Sequence, residues 1–139
     1  MQVDFLTGCH STPYYTHVHR DIDMWFPDCS PEGRASAEGS ESARFERDPA
    51  AFVSAMYAAA AGAGADATGL TGVPRRAVPS HVVLFDSTEP ALRQLLARLG
   101  FARVRAFFHS HVNGDADGEL PQRRMLVYRQ HDARRAFSD

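Results

Sequence analysis

Histidine is the residue type in this sequence that is best suited to metal binding and proton transfer, and its positions are clustered. His10, His17 and His19 lie together near the N-terminus, whereas His109 and His111 form a second group far along the chain. Imidazole nitrogens bind zinc, carry protons and form hydrogen bonds. Each H-x-H pair would place both rings on one side of an extended backbone. The sequence predicts a histidine-lined site if the fold brings the two groups together.

The two H-x-H pairs are compatible with two interpretations. Four imidazoles, or three with a water molecule, would satisfy zinc and give a stand-alone metal-dependent hydrolase. Such pairs are also frequent in loops, and no carboxylate stands at a characteristic spacing from either of them. We therefore assign no metal and no cofactor to the chain. The hydrolase, together with a protein-interaction module, is kept as an alternative function.

A run of hydroxyl groups lies inside the first histidine group, at Ser11, Thr12, Tyr14 and Tyr15. One interpretation is a hydrogen-bonding corner that binds a polyol or a phosphate. The other is a turn capped by the serine and threonine, with the tyrosine rings buried beneath it. A catalytic triad of Ser11, His109 and Asp86 is disfavoured, because the serine lacks the G-x-S-x-G motif of a nucleophile elbow.

The elements that must position these residues follow from hydrophobic patterning. Strands are predicted at residues 3–7, 78–85, 101–108 and 125–128, a short extended segment at 22–26, and helices that begin at 48–49 and near 87. The order predicts a small α/β domain of two or three layers, with a mostly parallel central sheet, helices and a C-terminal antiparallel hairpin. We expect Phe107 and Phe108 in the core, with one ring on each face of the sheet.

The predicted strands would bring the polar groups to one place. His10, Asp86 and His109 each come just after a strand that we expect to be parallel to the others. Ligands of open α/β sheets bind at the carboxyl ends of the strands. We therefore expect these three residues, and the groups around them, to share one edge of the sheet.

Composition indicates one soluble domain of 139 residues, of which 44% are hydrophobic and 23% are charged. Regions rich in small and polar residues predict flexible insertions at about 30–46 and 62–77 and a frayed tail at 130–139. The net charge of −2 gives no electrostatic argument for a nucleic-acid partner. All fifteen cations are arginine, which excludes a Schiff-base or P-loop lysine in this chain. We expect neither a secretion signal nor a membrane span, which needs about 20 apolar residues.

Two cysteines, Cys9 and Cys29, are the only ones in the chain. In a reducing compartment they would be free thiols. In an oxidising compartment a bridge between them would close a loop and stabilise the fold by about 3 kcal/mol. Their spacing alone leaves both states open.

A family resemblance is carried by the run from Cys9 to His19, which reads C-H-S-T-P-Y-Y-T-H-V-H. It closely resembles the C-H-S-T-P-Y-Y-S-H-V-H segment near the C-terminus of the PIG-B-like GPI mannosyltransferases of glycosyltransferase family 22. The similarity continues through the helix that begins at Asp48, and it resumes at residues 79–85 and 107–111. It spans most of the chain apart from the two stretches rich in small residues.

The resemblance implies a mannosyltransferase of the endoplasmic reticulum that transfers an α-1,2-linked mannose from dolichyl phosphate mannose to a GPI precursor. The family's catalytic acid lies in a luminal loop between membrane helices, and this chain has neither. The chain would be the C-terminal luminal domain, inactive alone, with the membrane-embedded part of the enzyme and the GPI glycan as its partners. The histidine groups would then face the acceptor or have a structural role, and the oxidising lumen would favour the Cys9–Cys29 bridge.

Overall fold

The computed structural model describes residues 1–8, 19–36, 39–58, 73–109 and 124–131. Five strands and four helices are present in these ranges. In chain order they are β1 (Gln2–Leu6), β2 (Asp23–Trp25), α1 (Pro31–Ala35), α2 (Glu41–Arg47), α3 (Pro49–Met56), β3 (His81–Phe85), α4 (Glu89–Arg98), β4 (Phe101–Phe108) and β5 (Arg124–Gln130).

The strands form a single sheet in the order β2-β1-β3-β5-β4. β1 is parallel to both β2 and β3, whereas β5 is antiparallel to both β3 and β4. Four strands therefore run in one direction and β5 runs against them. The predicted α/β class, with a mostly parallel sheet and a C-terminal antiparallel hairpin, is confirmed. The position of β5 between β3 and β4 was not specified by the sequence pattern.

The core lies between one face of the sheet and the helices that pack on it. Strand residues on this face alternate with residues on the other face, as the pleat requires. Helices α3 and α4 contribute an apolar stripe each, at the spacing of an amphipathic helix. The fully buried members of the core include Leu6, Phe52, Val53, Met56, Val82, Leu84, Leu92, Leu96 and Leu126.

Local signals explain where the two longer helices begin and end. The Asp48 side chain accepts a hydrogen bond from the Ala51 amide at 3.1 Å, and Pro49 occupies the first turn, as the sequence predicts. Gly100 follows α4 with φ of +82°, which is the left-handed conformation expected after a helix. Its carbonyl accepts a 2.9 Å hydrogen bond from the His131 amide. This bond ties the end of β5 to the start of β4.

The segment at 30–46 differs from the flexible surface loop that composition predicts. It contains α1 and α2, whose first amides are capped by the side chains of Ser30 and Ser40. Phe45 on α2 is 2% exposed, and its ring meets Phe52 edge-on with centroids 5.8 Å apart. Two serine caps and one buried aromatic ring therefore fold a segment that is otherwise small and polar.

The other predicted irregular segments are only partly described. Residues 59–72 and 132–139 lie outside the described ranges. Within 73–77, the Arg76 amide donates a 2.9 Å hydrogen bond to the Met56 carbonyl, which attaches this segment to the end of α3. Gln130, placed in the tail by the sequence analysis, is the last residue of β5.

The carboxyl-terminal half of β4 is exposed, so the prediction that Phe107 and Phe108 are core residues is wrong. Phe101 at the start of the strand is buried, but Phe107 and Phe108 are 55% and 64% exposed. The physical reason is position: β4 is at the edge of the sheet among the described strands, and the buried stripe of α4 meets only its beginning. Within the described residues, no helix is both long and apolar enough to span a bilayer.

Candidate functional site

Three of the predicted parallel strands end at the same edge of the sheet. Thr7 follows β1, Asp86 follows β3 and His109 follows β4. The His109 imidazole packs on the Phe85 ring, with centroids 4.9 Å apart and planes at 51°. We call the edge formed by Thr7, Phe85, Asp86, His109 and Arg124 the carboxyl edge. Asp86 and His109 therefore follow strands that end at the same edge, whereas His10, which we expect beside them, lies outside the described ranges.

Asp86 is held in place by hydrogen bonds to β5. Its amide donates to the Arg124 carbonyl at 3.0 Å, and its Oδ2 accepts from the Arg124 amide at 3.2 Å. The second carboxylate oxygen, Oδ1, is buried and has no hydrogen-bond partner among the described residues. One oxygen of this carboxylate therefore fixes the loop, and the other keeps its capacity to accept a hydrogen bond.

Thr7 supplies a second buried oxygen atom without a hydrogen-bond partner among the described residues, close to Phe85. The parallel register pairs Leu6 with Leu84, which places Thr7 beside Phe85 on the neighbouring strand. Thr7 is 1% exposed, and its Oγ1 has no hydrogen-bond partner among the described residues. Leaving a buried hydroxyl unpaired costs about 1–3 kcal/mol. Together with Asp86, this edge carries two buried oxygen atoms that have no hydrogen-bond partner within the described ranges.

The remaining predicted site residues divide into described and undescribed ones. His19 is described; it is exposed and has a positive φ of 50°. No described contact joins it to the carboxyl edge. Outside the described ranges lie His10, Ser11, Thr12, Tyr14, Tyr15, His17 and His111. Among the described residues, no three His, Cys, Asp or Glu side chains are grouped so as to hold a metal ion.

Cys29 is disulfide-bonded. The only other cysteine in the chain is Cys9, which lies outside the described ranges. The pairing of these two cysteines therefore stays a prediction. A disulfide at Cys29 is typical of a protein that folds in an oxidising compartment.

A buried ionic cluster that no sequence pattern predicts is centred on Asp4, in the middle of β1. Asp4 is fully buried and accepts a 2.7 Å hydrogen bond from the Tyr57 hydroxyl. Arg76 donates to both of its oxygens, at 2.9 Å and 3.2 Å, and the guanidinium lies 5.1 Å from the centre of the Trp25 ring. The one available signal was an acidic residue inside an apolar strand, which needs a partner when buried.

The surroundings of the cluster raise the pKa values of Tyr57 and Arg76. Burial raises the pKa of the Tyr57 hydroxyl far above its ordinary value, and the negative charge of Asp4 raises it further. Burial lowers the pKa of Arg76, but the hydrogen bond and charge of Asp4 outweigh this, so the net shift is upward. Neither Tyr57 nor Arg76 therefore releases a proton near neutral pH. Its role is to join β1, α3 and the segment before β3.

A second buried pair joins α4 to the β4–β5 hairpin. The Tyr128 hydroxyl donates to Glu89 Oε1 at 2.5 Å, and Arg93 and Arg103 each lie 3.6 Å from the Glu89 carboxylate. Burial, followed by the hydrogen bond to Glu89, raises the pKa of Tyr128 to about 12. The tyrosine therefore remains a hydrogen-bond donor at physiological pH. This pair is on the helix-covered face and fixes the hairpin against α4.

His81 at the amino end of β3 makes stability depend on pH. Burial lowers its pKa from the ordinary value of 6.5, and the charges of Arg129 and the N-terminus lower it further. The unfolded chain then binds this proton more tightly than the native state. Stability is therefore complete above the ordinary pKa and is lost as the pH falls through it towards the lower native value.

We expect His81→Gln to remove this part of the pH dependence. Denaturant unfolding followed from about pH 8 to about pH 5 should show a smaller loss of unfolding free energy in the variant than in the wild type. His19→Gln, at an exposed position, serves as the control and should follow the wild type. Equal losses in the wild type and His81→Gln would contradict the assignment.

Sequence comparison supplies the context for this fold. No family model matches the chain, and no solved structure matches it. Among curated proteins, the chain is 38% identical over 113 residues to "Mannosyltransferase APTG1" of Arabidopsis thaliana, which covers 81% of the chain and 18% of that protein. It is 37% identical over 123 residues to "GPI mannosyltransferase 3" of Yarrowia lipolytica, covering 81% of the chain and 23% of that protein.

Animal proteins give a similar result. The chain is 30% identical over 108 residues to "GPI alpha-1,2-mannosyltransferase 3" of Danio rerio, covering 77% of the chain and 17% of that protein. The chain thus spans about a fifth of the length of the curated relatives it matches. All three relatives are named as mannosyltransferases, two of them as GPI mannosyltransferases, so this chain is a homologue of one segment of such proteins.

Proposed function

We propose that this chain is the C-terminal luminal domain of a mannosyltransferase of the endoplasmic reticulum, and that it binds the acceptor side of the reaction. In this proposal the full enzyme transfers an α-1,2-linked mannose from dolichyl phosphate mannose to a GPI precursor. The catalytic acid belongs to another part of the enzyme, so this chain alone is inactive. The observation that carries the proposal is the 38% identity over 81% of the chain to a mannosyltransferase.

The carboxyl edge has the chemistry of a binding site for hydroxyl groups. Asp86 offers a buried acceptor oxygen, and Thr7 offers a hydroxyl that both donates and accepts. The imidazole of His109 lies across the Phe85 ring, which gives the edge an apolar surface next to the polar atoms. Because β5 already fixes Asp86, little conformational entropy is lost when a sugar hydroxyl binds it.

Two further observations support the luminal and membrane-attached setting. The disulfide at Cys29 fits the oxidising lumen better than the reducing cytosol. The chain matches only about a fifth of its relatives, which leaves the greater part of those enzymes to serve as its partner. We therefore propose the membrane-embedded part of the same enzyme, and the GPI-precursor glycan, as the partners of this domain.

The test uses a full-length enzyme that carries this domain. The enzyme is assayed in membranes from cells that lack their own copy of this enzyme. Asp86→Asn keeps one oxygen for the Arg124 amide but loses the charge, and His109→Ala removes the ring. We expect Asp86→Asn to raise the KM for the acceptor by about tenfold or more, because hydrogen bonds to a charged group contribute about 1.5–3 kcal/mol. His109→Ala should also raise this KM, because the ring surface beside Asp86 is lost. Protein level and the kcat at saturating acceptor should stay unchanged.

Matched controls are Asp21→Asn and His131→Ala, which make the same changes at exposed positions away from the carboxyl edge. Both should transfer mannose as the wild type does. Substitution of His10, Tyr14 and His17 in the same enzyme tests the segment that lies outside the described ranges. Unchanged transfer at limiting acceptor in Asp86→Asn, in His109→Ala and in the His10, Tyr14 and His17 variants would refute the acceptor-binding role.

A further inference from the structure

We infer that the exposed edge of β4 is a docking surface for an anionic phospholipid bilayer. This edge, called the β4 edge below, consists of Val104, Arg105, Phe107, Phe108 and the neighbouring Arg124. The inference goes beyond the proposed function, since it concerns the neighbouring surface, which shares only Arg124 with the carboxyl edge, and needs neither glycan nor mannose donor. It rests on an exposed apolar group, on the distribution of charge and on the shape of the strand.

The apolar part of the β4 edge is unusual within the described chain. Val104, Phe107 and Phe108 are 44%, 55% and 64% exposed, and among the described residues the only other large hydrophobic side chain so exposed is Met1. Phe107 pairs with Met125 and Phe108 with Arg124, so the two rings point to opposite faces of the sheet. Both rings can enter the headgroup region when the strand approaches a flat surface edge-on. Aromatic side chains favour this region because one part contacts acyl chains while the remainder stays near water.

Charge is divided along the chain in a way that favours an anionic partner at this end. In the full sequence after β3, nine arginines face seven acidic residues, and one of the acidic residues, Glu89, is buried against Tyr128. Up to residue 58, nine acidic residues face four arginines. The net charge of −2 hides this separation. Positive charge beside exposed aromatic rings is the combination that binds anionic lipid surfaces.

The geometry of β4 disfavours the two kinds of protein partner that usually pair with an edge strand, which are an added strand and the same strand of a second copy. The register of β4 shifts between Arg103 and Arg105, and such a bulge twists an edge away from regular pairing with an added strand. Pairing of β4 with the same strand of a second copy would bring the arginines of both copies together, which is destabilising. A planar lipid surface needs no backbone register and meets the cations with phosphate groups.

The experiment is vesicle cosedimentation of the 139-residue chain. Vesicles of phosphatidylcholine alone are compared with vesicles that contain about one third phosphatidylserine, at low salt. We expect binding to the anionic vesicles only. Arg105→Gln with Arg124→Gln should weaken binding about 25-fold, because each arginine near the surface contributes about fivefold. Phe107→Ser with Phe108→Ser should weaken it by more than tenfold, because both rings lose their burial in the interface.

The matched control is Arg20→Gln with Arg47→Gln, the same charge change at exposed positions outside the β4 edge. It should bind within about twofold of the wild type. Equal binding to neutral vesicles, no binding to anionic vesicles, or an equal loss in the control would each overturn the inference. So would a dimer in solution that the β4-edge variants dissociate. Mannose transfer is measured separately, so failure of either test leaves the other proposal to be judged independently.

Discussion

Arg76→Met is expected to lower the free energy of unfolding by about 3–5 kcal/mol, because it leaves the Asp4 carboxylate buried without its counter-ion. Asp4 is fully buried, and the guanidinium supplies two of its hydrogen bonds. Methionine has a similar length and can still pack on Trp25, so the loss reports on the ion pair. Chemical denaturation at neutral pH measures the effect.

A double-mutant cycle distinguishes loss of the ion pair between Asp4 and Arg76 from a general loss of stability. Asp4→Asn combined with Arg76→Met should be less destabilised than the sum of the two single variants, since an amide needs no counter-ion and still accepts from Tyr57. Arg20→Met, at an exposed position, should change stability by less than about 0.5 kcal/mol. Additive losses in the cycle would show that Asp4 and Arg76 do not act as a unit.

Phe45→Ala is expected to cost about 3–5 kcal/mol, the usual range for deletion of a buried aromatic ring. Phe45 is 2% exposed and packs edge-on against Phe52 on α3. The substitution also tests the structure of residues 30–46 directly, because the same change in a flexible loop would hardly alter the free energy of unfolding. The measurement is again the free energy of unfolding by denaturant.

Phe107→Ala is the control for this change, since it removes the same ring from a position that is 55% exposed. It should alter the free energy of unfolding by less than about 0.5 kcal/mol. A small effect at Phe45, or equal effects at both positions, would mean that α2 is not anchored to the core as described.

Sequence patterns predicted those elements whose signals are local. The Asp48-Pro49 start of α3, the leucine stripe of α4 and the left-handed Gly100 after it each depend on a few neighbouring residues, and all three are observed. The direction of the main strands followed from the right-handed crossover rule. For the same reason, the positions of Asp86 and His109 at the ends of parallel strands were predictable.

Features that depend on distant partners were not predictable in this way. The burial of Phe45 depends on Phe52 and the rest of the core, so the polar composition around it indicated a loop. The exposure of Phe107 and Phe108 depends on the insertion of β5 between β3 and β4, which periodicity does not determine. The partners of Asp4 come from 53 and 72 positions away, and neither tyrosine nor arginine carries a local signal for such a bond.

The long sequence separations around Asp4 have a consequence for how the domain assembles. A carboxylate at the centre of β1 is better solvated than buried until Tyr57 and Arg76 have both arrived. A nascent N-terminal half that ends before Arg76 consequently lacks the means to close its own core. We therefore expect β1, α3 and β3 to fold as one cooperative unit, after the segment that carries Arg76 has joined the other two.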